Sequence, residues 1–148
     1  MSPNLAEGLK HLAAFVLMVA PPIAIIVWLM RGASRRHNDA WRAFADARGW
    51  TFTPSRGFWT TWRSARIVGD RAGARVVVDA LFERAGRGTR LWTRVYAPGR
   101  LHDAALLTAF SPPEARVRSH EDATALEWPG FETDPAVLDT ACDLVTRR

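Results

Sequence analysis

The sequence predicts an α+β protein in which one N-terminal transmembrane helix precedes a small domain, an antiparallel β-meander flanked by helices. Three observations lead to this prediction. Residues 12–30 carry no charge, residues 64–97 hold β-branched runs separated by glycine-containing turns, and residues 134–148 carry an apolar stripe at helical spacing. The predicted organisation is a tail over residues 1–11, a transmembrane helix over 12–30, a basic juxtamembrane linker over 31–38 and the small domain over 39–148.

The uncharged run "LAAFVLMVAPPIAIIVWLM", residues 12–30, is 19 residues long. A helix of that length spans about 28 Å, close to the hydrocarbon thickness of a bilayer. A secretory signal peptide has a shorter apolar region that follows positive charge, whereas here the positive charge comes after the run. The run therefore predicts a retained anchor, kinked at Pro21 and Pro22, with a re-entrant hairpin at the two prolines as the alternative.

Flanking charge predicts the orientation of this anchor. The charges before it are Glu7 and Lys10, and the basic residues soon after it are Arg31, Arg35, Arg36 and Arg42. The positive-inside rule then places the N-terminus outside and the C-terminal domain in the cytoplasm. The single cysteine, Cys142, excludes an intramolecular disulfide and agrees with a reducing compartment.

The domain opens with a predicted helix over "DAWRAFADAR". Asn38 or Asp39 can cap its start, and Gly49 suits a left-handed stop after its end. One face of the helix holds Trp41, Phe44, Ala45 and Arg48. The following "WTFTP" alternates aromatic residues with threonines, as a short strand does.

Three further strands are predicted over "SARIVGD", "ARVVVDALFER" and "RLWTRVYA". The glycine-containing turns "RAG" and "AGRGT" join them into a meander. In the third strand, Leu91, Thr93 and Val95 face one side, and Trp92, Arg94 and Tyr96 face the other. Farther along, "RVRSHED" and "ATALEW" predict short edge strands.

The last segment, "TDPAVLDTACDLVTRR", predicts a helix. Asp134 can cap its N-terminus, and Pro135 suits the first helical position because its missing N–H has no helical partner to lose. The apolar stripe consists of Val137, Leu138, Ala141, Leu144 and Val145.

The order of "GWTF", "IVGDRAGARVVV", "GRG", "LWTRVYA" and "TDPAVLDTA" resembles a family of uncharacterised bacterial membrane-anchored domains over residues 39–143. The positions that follow the family pattern are Gly69, Gly73, Thr93, Arg94, Asp134 and Asp139. The family carries no assigned activity. The resemblance therefore implies the fold, the anchor and a single-pass location in a bacterial inner membrane, and it implies no catalytic residue. It also implies that part of the last segment is a strand.

Residues suited to catalysis or metal binding are scattered along the chain. His102 and His120 stand beside acidic residues, but the chain has no pair of histidines at helical i, i+4 spacing. Cys142 has no evident histidine partner. The spacing of Asp134, Asp139 and Asp143 predicts a solvated acidic helix face rather than a divalent-ion site. We therefore predict no catalytic residue, no cofactor and no metal site.

The stretch "RGFWTTWRSAR", residues 56–66, places three aromatic side chains among arginines. Core packing of Phe58 and Trp62 is the first interpretation, because these two residues share a face of either a strand or a helix. A membrane-surface loop, with the arginines beside lipid headgroups, is the second. Stacking on nucleic-acid bases is the third.

Charge divides the chain after the anchor into a basic and an acidic part. Residues 31–100 hold 15 arginines and 5 acidic residues, a net charge of +10, and residues 101–148 have a net charge of −5. Pairing between the two parts within one fold is expected to compensate much of this difference. The candidates for contact with the membrane lipid are Arg31, Arg35, Arg36, Arg56, Trp59, Arg63 and Arg66.

These observations together favour a non-enzymatic interaction module anchored at the cytoplasmic face of the membrane. Its expected partner is a membrane or envelope protein, with anionic lipid as an auxiliary contact. The alternatives are a nucleic-acid-binding domain tethered to the membrane and an enzyme of unidentified class. Nucleic acid is the less favoured partner, because the sequence shows no recognisable reading motif.

Overall fold

A computed structural model describes residues 3–55, 64–102, 110, 112–119 and 122–147 of the 148-residue chain. The chain forms two compact units, Met1–Arg36 and His37–Arg148. We call the first the anchor unit and the second the sheet domain. Helix α1, Pro3–Asp46, contributes residues to both.

The backbone of α1 is helical through Pro21 and Pro22, so the anchor is not a re-entrant hairpin. The helix also continues through residues 31–38, and the predicted helix start at Asn38 or Asp39 is wrong. The Asn38 side chain does not cap a helix. Instead, its Oδ1 accepts hydrogen bonds from the backbone N–H and the hydroxyl of Ser55, at 3.3 and 3.1 Å. The basic linker contains good helix formers, Arg and Ala, and no proline, so nothing in it forces the helix to end.

The anchor unit holds one window that is long and apolar enough to cross a membrane, Lys10–Trp28. This window contains 19 residues, and none of it is buried within the protein. Its exposed apolar side chains include Leu12, Phe15, Val16, Leu17, Met18, Ile23, Ile25, Ile26 and Trp28. A soluble core helix would cover one face, and this window has no covered face.

The sheet domain is built on one antiparallel sheet. Its strands are β1 Thr51–Thr53, β2 Arg66–Arg71, β3 Ala74–Ala85, β4 Gly88–Tyr96, β5 Arg116–Ser119 and β6 Thr124–Pro129, and helix α2, Pro135–Thr146, follows them. The order across the described strands is β1-β2-β3-β4-β6-β5. Every neighbouring pair is antiparallel, which confirms the predicted meander and the α+β class.

Strand β6 corrects one prediction, because it lies inside the sheet and not at its edge. It pairs with β4 on one side and β5 on the other. All residues from Thr124 to Trp128 are buried, as expected of a strand with neighbours on both sides. Among the described strands, β5, which carries two arginines, takes the edge position.

Two tight turns connect the central strands. Between β2 and β3, Ala72 and Gly73 have φ angles of 50° and 72°, the pattern of a type I′ turn. Between β3 and β4, Gly86 has a φ of 58° and precedes Arg87, as in a type II′ turn. The twist of both turn types matches that of the flanking strands, which favours tight hairpins.

The core lies between one face of the sheet and the helices. From α1, Trp41, Phe44 and Ala45 are buried there, as their spacing predicts, and Gly49 follows with a φ of 67°. Helix α2 packs against β2, β3, β4 and β6. Its buried core residues are Leu138, Ala141, Cys142, Leu144 and Val145.

The last segment is a helix throughout Pro135–Thr146, so the strand implied there by the family resemblance is absent from that range. The Asp134 side chain caps the helix by accepting a hydrogen bond from the Ala136 backbone N–H at 2.8 Å, and Pro135 lies in the first turn. The predicted start signals of this helix are therefore confirmed.

Candidate functional site

Five charged side chains form a row across the sheet, on the face opposite the core. In register, Arg66 on β2 is opposite Asp79 on β3, and Asp79 is opposite Arg94 on β4. Arg94 is in turn opposite Glu127 on β6, which is opposite Arg116 on β5. We call this set the charge row. Its signs alternate at the strand spacing of about 4.8 Å, the arrangement in which cross-strand charge pairs stabilise a sheet.

The centre of the charge row is a bidentate ion pair. Arg94 donates from Nε to Asp79 Oδ1 at 2.8 Å and from Nη2 to Oδ2 at 2.7 Å. Asp79 is buried, at 7% exposure. The hydrogen bonds to Asp79 raise the pKa of Arg94 against the opposing effect of burial. Tyr96 adjoins the pair, with Arg94 5.0 Å from its ring centroid and Arg66 donating to its hydroxyl at 3.2 Å.

The β5 end of the row surrounds a fully buried carboxylate. Glu127 has 0% exposure, and its Oε2 accepts a hydrogen bond from Arg116 Nε at 2.9 Å. The Arg116 guanidinium also lies 3.7 Å from the ring centroid of Trp92. Within the described part of the chain, Glu127 Oε1 and Trp92 Nε1 have no hydrogen-bond partner. Arg116 is therefore the main ion-pair partner of the buried Glu127 carboxylate. Removing this arginine would leave the carboxylate buried without that partner, which is costly.

Glu83 on β3 lies on the same face and is the second carboxylate that binds the β5 arginines. It accepts hydrogen bonds from Arg116 and from Arg118, both at 2.8 Å. The hydrogen bonds from Arg118 and then Arg116 lower the pKa of Glu83. Since Glu83 is on β3 and both arginines are on β5, these contacts reach across β4 and β6 and over the Trp92 ring.

A second ion-pair cluster joins three elements on the core side. Arg48, just after α1, bonds Asp139 on α2 through two nitrogens. Arg71 at the end of β2 donates to Asp139 and to Asp143, both at 2.6 Å. Burial opposes ionisation of Asp139, but the hydrogen bonds from Arg48 and Arg71 lower its pKa. Asp143 is exposed and Asp139 is about a third exposed, and both are paired with arginines, which the predicted solvated acidic face did not include.

These pairs show where the acidic and basic parts of the chain compensate each other. Arg48 and Arg71 from the basic part bind Asp139, and Arg90 binds Glu114 at 2.6 Å. Compensation also occurs inside each part, as between Asp79 and Arg94. The expected pairing between the two parts is thus present.

The family-pattern residues have structural roles. A Cβ on Gly69 would lie 2.1 Å from Cγ of Trp50, so only glycine fits beneath that ring. Thr93 Oγ1 donates to the Gly130 carbonyl at 2.8 Å and accepts from the Glu132 N–H at 2.9 Å. The remaining positions are Gly73 in the β2–β3 turn, Arg94 in the charge row, Asp134 at the helix cap and Asp139 in the second cluster.

Cys142 and His102 are residue types that can serve as a nucleophile or a metal ligand, but their contacts here are structural. Cys142 has 0% exposure, and burial raises the pKa of its thiol to about 12. His102 Nε2 lies 2.7 Å from the Val145 carbonyl, which makes that nitrogen the donor. Among the residues that the structure describes, no three His, Cys, Asp or Glu side chains converge as a metal site.

The grooves lined by described residues of the sheet domain include two wide, open ones. One, of about 520 Å³, is lined by Arg48, Trp50, Gly69 and Arg75 among others, and its walls are mainly polar. The other, of about 410 Å³, is mainly apolar and runs between Phe110 and the first turns of α2.

The predicted lipid-contact residues are distributed over both units. Arg35 and Arg36 are exposed on α1 in the anchor unit, whereas Arg66 is exposed on β2 in the sheet domain. The side chain of Arg31 is outside the description, and so are Arg56, Trp59 and Arg63 with the aromatic residues Phe58 and Trp62. The three interpretations of that aromatic stretch stay predictions.

Sequence reasoning missed the charge row. The alternation in β4 does put Arg94 and Tyr96 opposite the core face. Only the strand register, however, shows that Asp79 and Glu127 lie beside Arg94.

No protein-family model, curated protein or solved structure matches the chain. The function proposed below therefore rests on the residues and geometry of this chain.

Proposed function

We propose that this chain is a non-enzymatic interaction module, anchored by a single transmembrane helix in a bacterial inner membrane. Its sheet domain faces the cytoplasm and binds a membrane or envelope protein, with anionic lipid as an auxiliary contact. The observation that carries the proposal is the apolar window Lys10–Trp28, which is long enough to span a bilayer and is not buried anywhere along its length.

The polar groups of the sheet domain support a binding role over a catalytic one. The carboxylates of Asp79, Glu127 and Asp139 are each held by arginine side chains. A general base needs a pKa near the operating pH, and the arginines of the second cluster lower that of Asp139 instead. Such pairs fix the shape of a surface, as a module that presents a rigid face to a partner requires.

Orientation follows from the arginines after the window. Arg35 and Arg36 are exposed, and residues 31–42 contain four arginines. Positive charge close to the end of a span favours the cytoplasmic side.

The test is the topology of the full chain in bacterial membranes. A phosphatase reporter that is active only outside the cytoplasm, fused after Arg148, should be silent, and the same reporter fused before Met1 should be active. The chain should also resist extraction by alkaline carbonate. Carbonate-soluble protein would refute the anchor, and an active C-terminal reporter would refute the orientation.

The binding role is tested separately, by cross-linking the full chain in intact membranes before solubilisation. We expect one specific adduct that disappears when the sheet domain is denatured before cross-linking. A chain that forms no adduct with any membrane protein would contradict the interaction module.

A further inference from the structure

The anchor unit contains two adjacent prolines, Pro21 and Pro22, near the middle of its apolar window. Proline has no backbone N–H, so it cannot donate to the carbonyl four residues earlier in a helix. The carbonyls of Leu17 and Met18 therefore lack the helical donor that the other carbonyls of the window have. The two carbonyls are neighbours, separated by about 100° around the helix axis, so one adjoining molecule can reach both.

Both carbonyls lie far from the ends of the window. At about 1.5 Å of rise per residue, Leu17 is about 10 Å from Lys10, and Met18 is about 15 Å from Trp28. The side chains of Leu17 and Met18 are 74% and 75% exposed, so the rest of the described chain leaves the helix open at this depth. In a bilayer this position corresponds to the hydrocarbon core, where an unpaired backbone group is costly.

The helix itself offers no substitute donor. Serine and threonine side chains can donate to a carbonyl one turn back, but residues 12–27 contain no side chain that donates a hydrogen bond. A local 3₁₀ or π turn can also pair such a carbonyl again, yet the backbone is α-helical throughout Pro3–Asp46. Water is scarce in the hydrocarbon core. The missing donor is therefore expected from a neighbouring molecule in the bilayer.

We propose that the helix backbone at Leu17 and Met18 is a docking site for a transmembrane helix of another protein, whose hydroxyl or amide side chain donates to these carbonyls. Side chains of this kind form hydrogen bonds between helices within bilayers. Ala20 and Ala24 are small, so a second helix can approach the neighbouring backbone closely. The inference rests on the proposed function, because it needs the helix in a bilayer, and it gives the membrane-protein partner a contact within the membrane.

The partner is a different protein because a second copy of this chain has no suitable donor. Copies inserted in the same direction present the same residues at the same depth. The nearest donor side chains of a second copy, His11 and Trp28, are about 10 Å and about 15 Å from Met18 along the helix axis. Lipid headgroups lie outside the hydrocarbon core and are also too distant.

Solid-state NMR of the full chain in phosphatidylcholine bilayers can observe one of these carbonyls alone. The chain has three methionines, and only Met18 is followed by valine. Methionine with a carbon isotope at the carbonyl, combined with valine carrying a nitrogen isotope, therefore selects the peptide bond between Met18 and Val19. The carbonyl shift reports whether the oxygen accepts a hydrogen bond. The Met30 carbonyl, selected with labelled arginine, gives the reference for a helical hydrogen bond, because α1 continues past Ser34.

The probe is a synthetic transmembrane helix of leucine and alanine with one asparagine at its centre. Its matched control has leucine in place of the asparagine. We expect the Met18 carbonyl to be free of hydrogen bonding in the chain alone and to move to the hydrogen-bonded position when the asparagine peptide is added. The control peptide should leave the Met18 signal unchanged, because it has no donor side chain.

Two proline variants form a matched pair. Pro22→Leu restores the N–H that donates to the Met18 carbonyl, so this carbonyl should be hydrogen-bonded without any peptide and should not respond to it. Pro21→Leu also removes one proline from the helix, but it restores the donor for Leu17 instead. The Met18 signal of Pro21→Leu should therefore still respond to the asparagine peptide. A change in helix shape alone would affect the two variants alike.

Each contrary outcome overturns the inference in its own way. A Met18 carbonyl that is already hydrogen-bonded in the dilute chain alone would show that water or the helix itself supplies the donor. A response that grows with the concentration of the chain, without peptide, would make a second copy the partner. Equal responses to the two peptides, or a response to neither, would remove the hydrogen bond from recognition. These outcomes leave a carbonate-resistant anchor intact, whereas a carbonate-soluble chain refutes the proposed function and the inference with it.

Discussion

The contact between Trp50 and Gly69 is the tightest single-residue constraint described in the sheet domain. The Trp50 ring covers the backbone of β2, where a Cβ on residue 69 would lie 2.1 to 2.4 Å from three ring atoms. The same ring makes an edge contact with Phe44, at 5.9 Å between centroids. The Trp50 ring therefore contacts both β2 and Phe44, and a larger residue at position 69 would displace the ring from its place between them.

Replacing Gly69 with alanine should consequently destabilise the domain. Overpacking a fixed site costs about 1–3 kcal/mol, and we expect Gly69→Ala to be near the upper end. Gly88→Ala is the control, since the nearest atom to its added Cβ is 3.8 Å away. Denaturant unfolding of the full chain in detergent measures both variants. Equal midpoints for the two would show that Trp50 moves aside freely.

The thiol of Cys142 gives a second prediction at this scale. Only the thiolate reacts with alkylating agents, and burial raises the pKa of this thiol to about 12. The folded chain should therefore stay unmodified by iodoacetamide at neutral pH, whereas the denatured chain should react fully. Mass spectrometry of both samples is the measurement. Rapid labelling of the folded protein would mean that α2 opens readily.

Among the elements, the β2–β3 hairpin contains a residue unsuited to its turn. Ala72 has a φ of 50°, a left-handed conformation that costs a non-glycine residue about 1–2 kcal/mol. Asparagine tolerates this region better, and Asn-Gly is the preferred pair in type I′ turns.

Ala72→Asn should therefore stabilise the domain by about 1 kcal/mol. Gly73→Ala should have the opposite sign, because Gly73 has a φ of 72°. The two variants alter the same turn and should shift the melting temperature in opposite directions. Thermal melting of the full chain measures both. A lower melting temperature for Ala72→Asn would contradict the assignment of the turn.

The elements also show how far local sequence signals extend. Turn glycines and β-branched runs predicted β2, β3 and β4, and cap residues predicted α2, because these signals act within a few residues. The continuation of α1 through residues 31–38 was not predicted, because Asn38 was expected to cap a new helix. Its side chain instead accepts hydrogen bonds from Ser55, a residue distant in sequence. The interior position of β6 and the partners of Arg94 depend on strand pairing, which no local signal specifies.

For the whole sheet domain, the cluster around Asp139 links the end of α1, the end of β2 and the middle of α2 through Arg48 and Arg71. The side chains of Arg48, Arg71 and Asp139 are about a quarter to a third exposed, so water screens the interaction and each pair contributes modestly. The cluster matters because one carboxylate holds three elements together.

Acid should therefore weaken the domain through Asp139. Burial alone would raise the pKa of Asp139, but the hydrogen bonds from Arg48 and Arg71 lower its folded pKa below the usual 3.8. A carboxyl group with a lowered folded pKa stabilises fully above its unfolded pKa and loses that contribution as pH falls through the folded value. Asp139→Asn should cost about 1 kcal/mol at neutral pH and show less further loss in acid.

The matched control is Asp143→Asn, because Asp143 is 51% exposed and has one arginine partner. It should cost less than Asp139→Asn at neutral pH. Urea unfolding of the full chain in detergent, at neutral pH and near pH 3, separates these effects. Identical acid sensitivity in the unmodified chain and Asp139→Asn would remove Asp139 from the explanation.

The two outer strands among those described have a consequence for copies of this chain that share a membrane, as the proposed anchor requires. Strand β1 has three residues, and β5 has four, including Arg116 and Arg118. Proteins confined to a bilayer meet in two dimensions at high local concentration, where a long bare strand would template pairing between chains. The shortness of both strands and the positive charge of β5 discourage such aggregation. The domain can therefore be crowded at a surface and still remain a separate folded body.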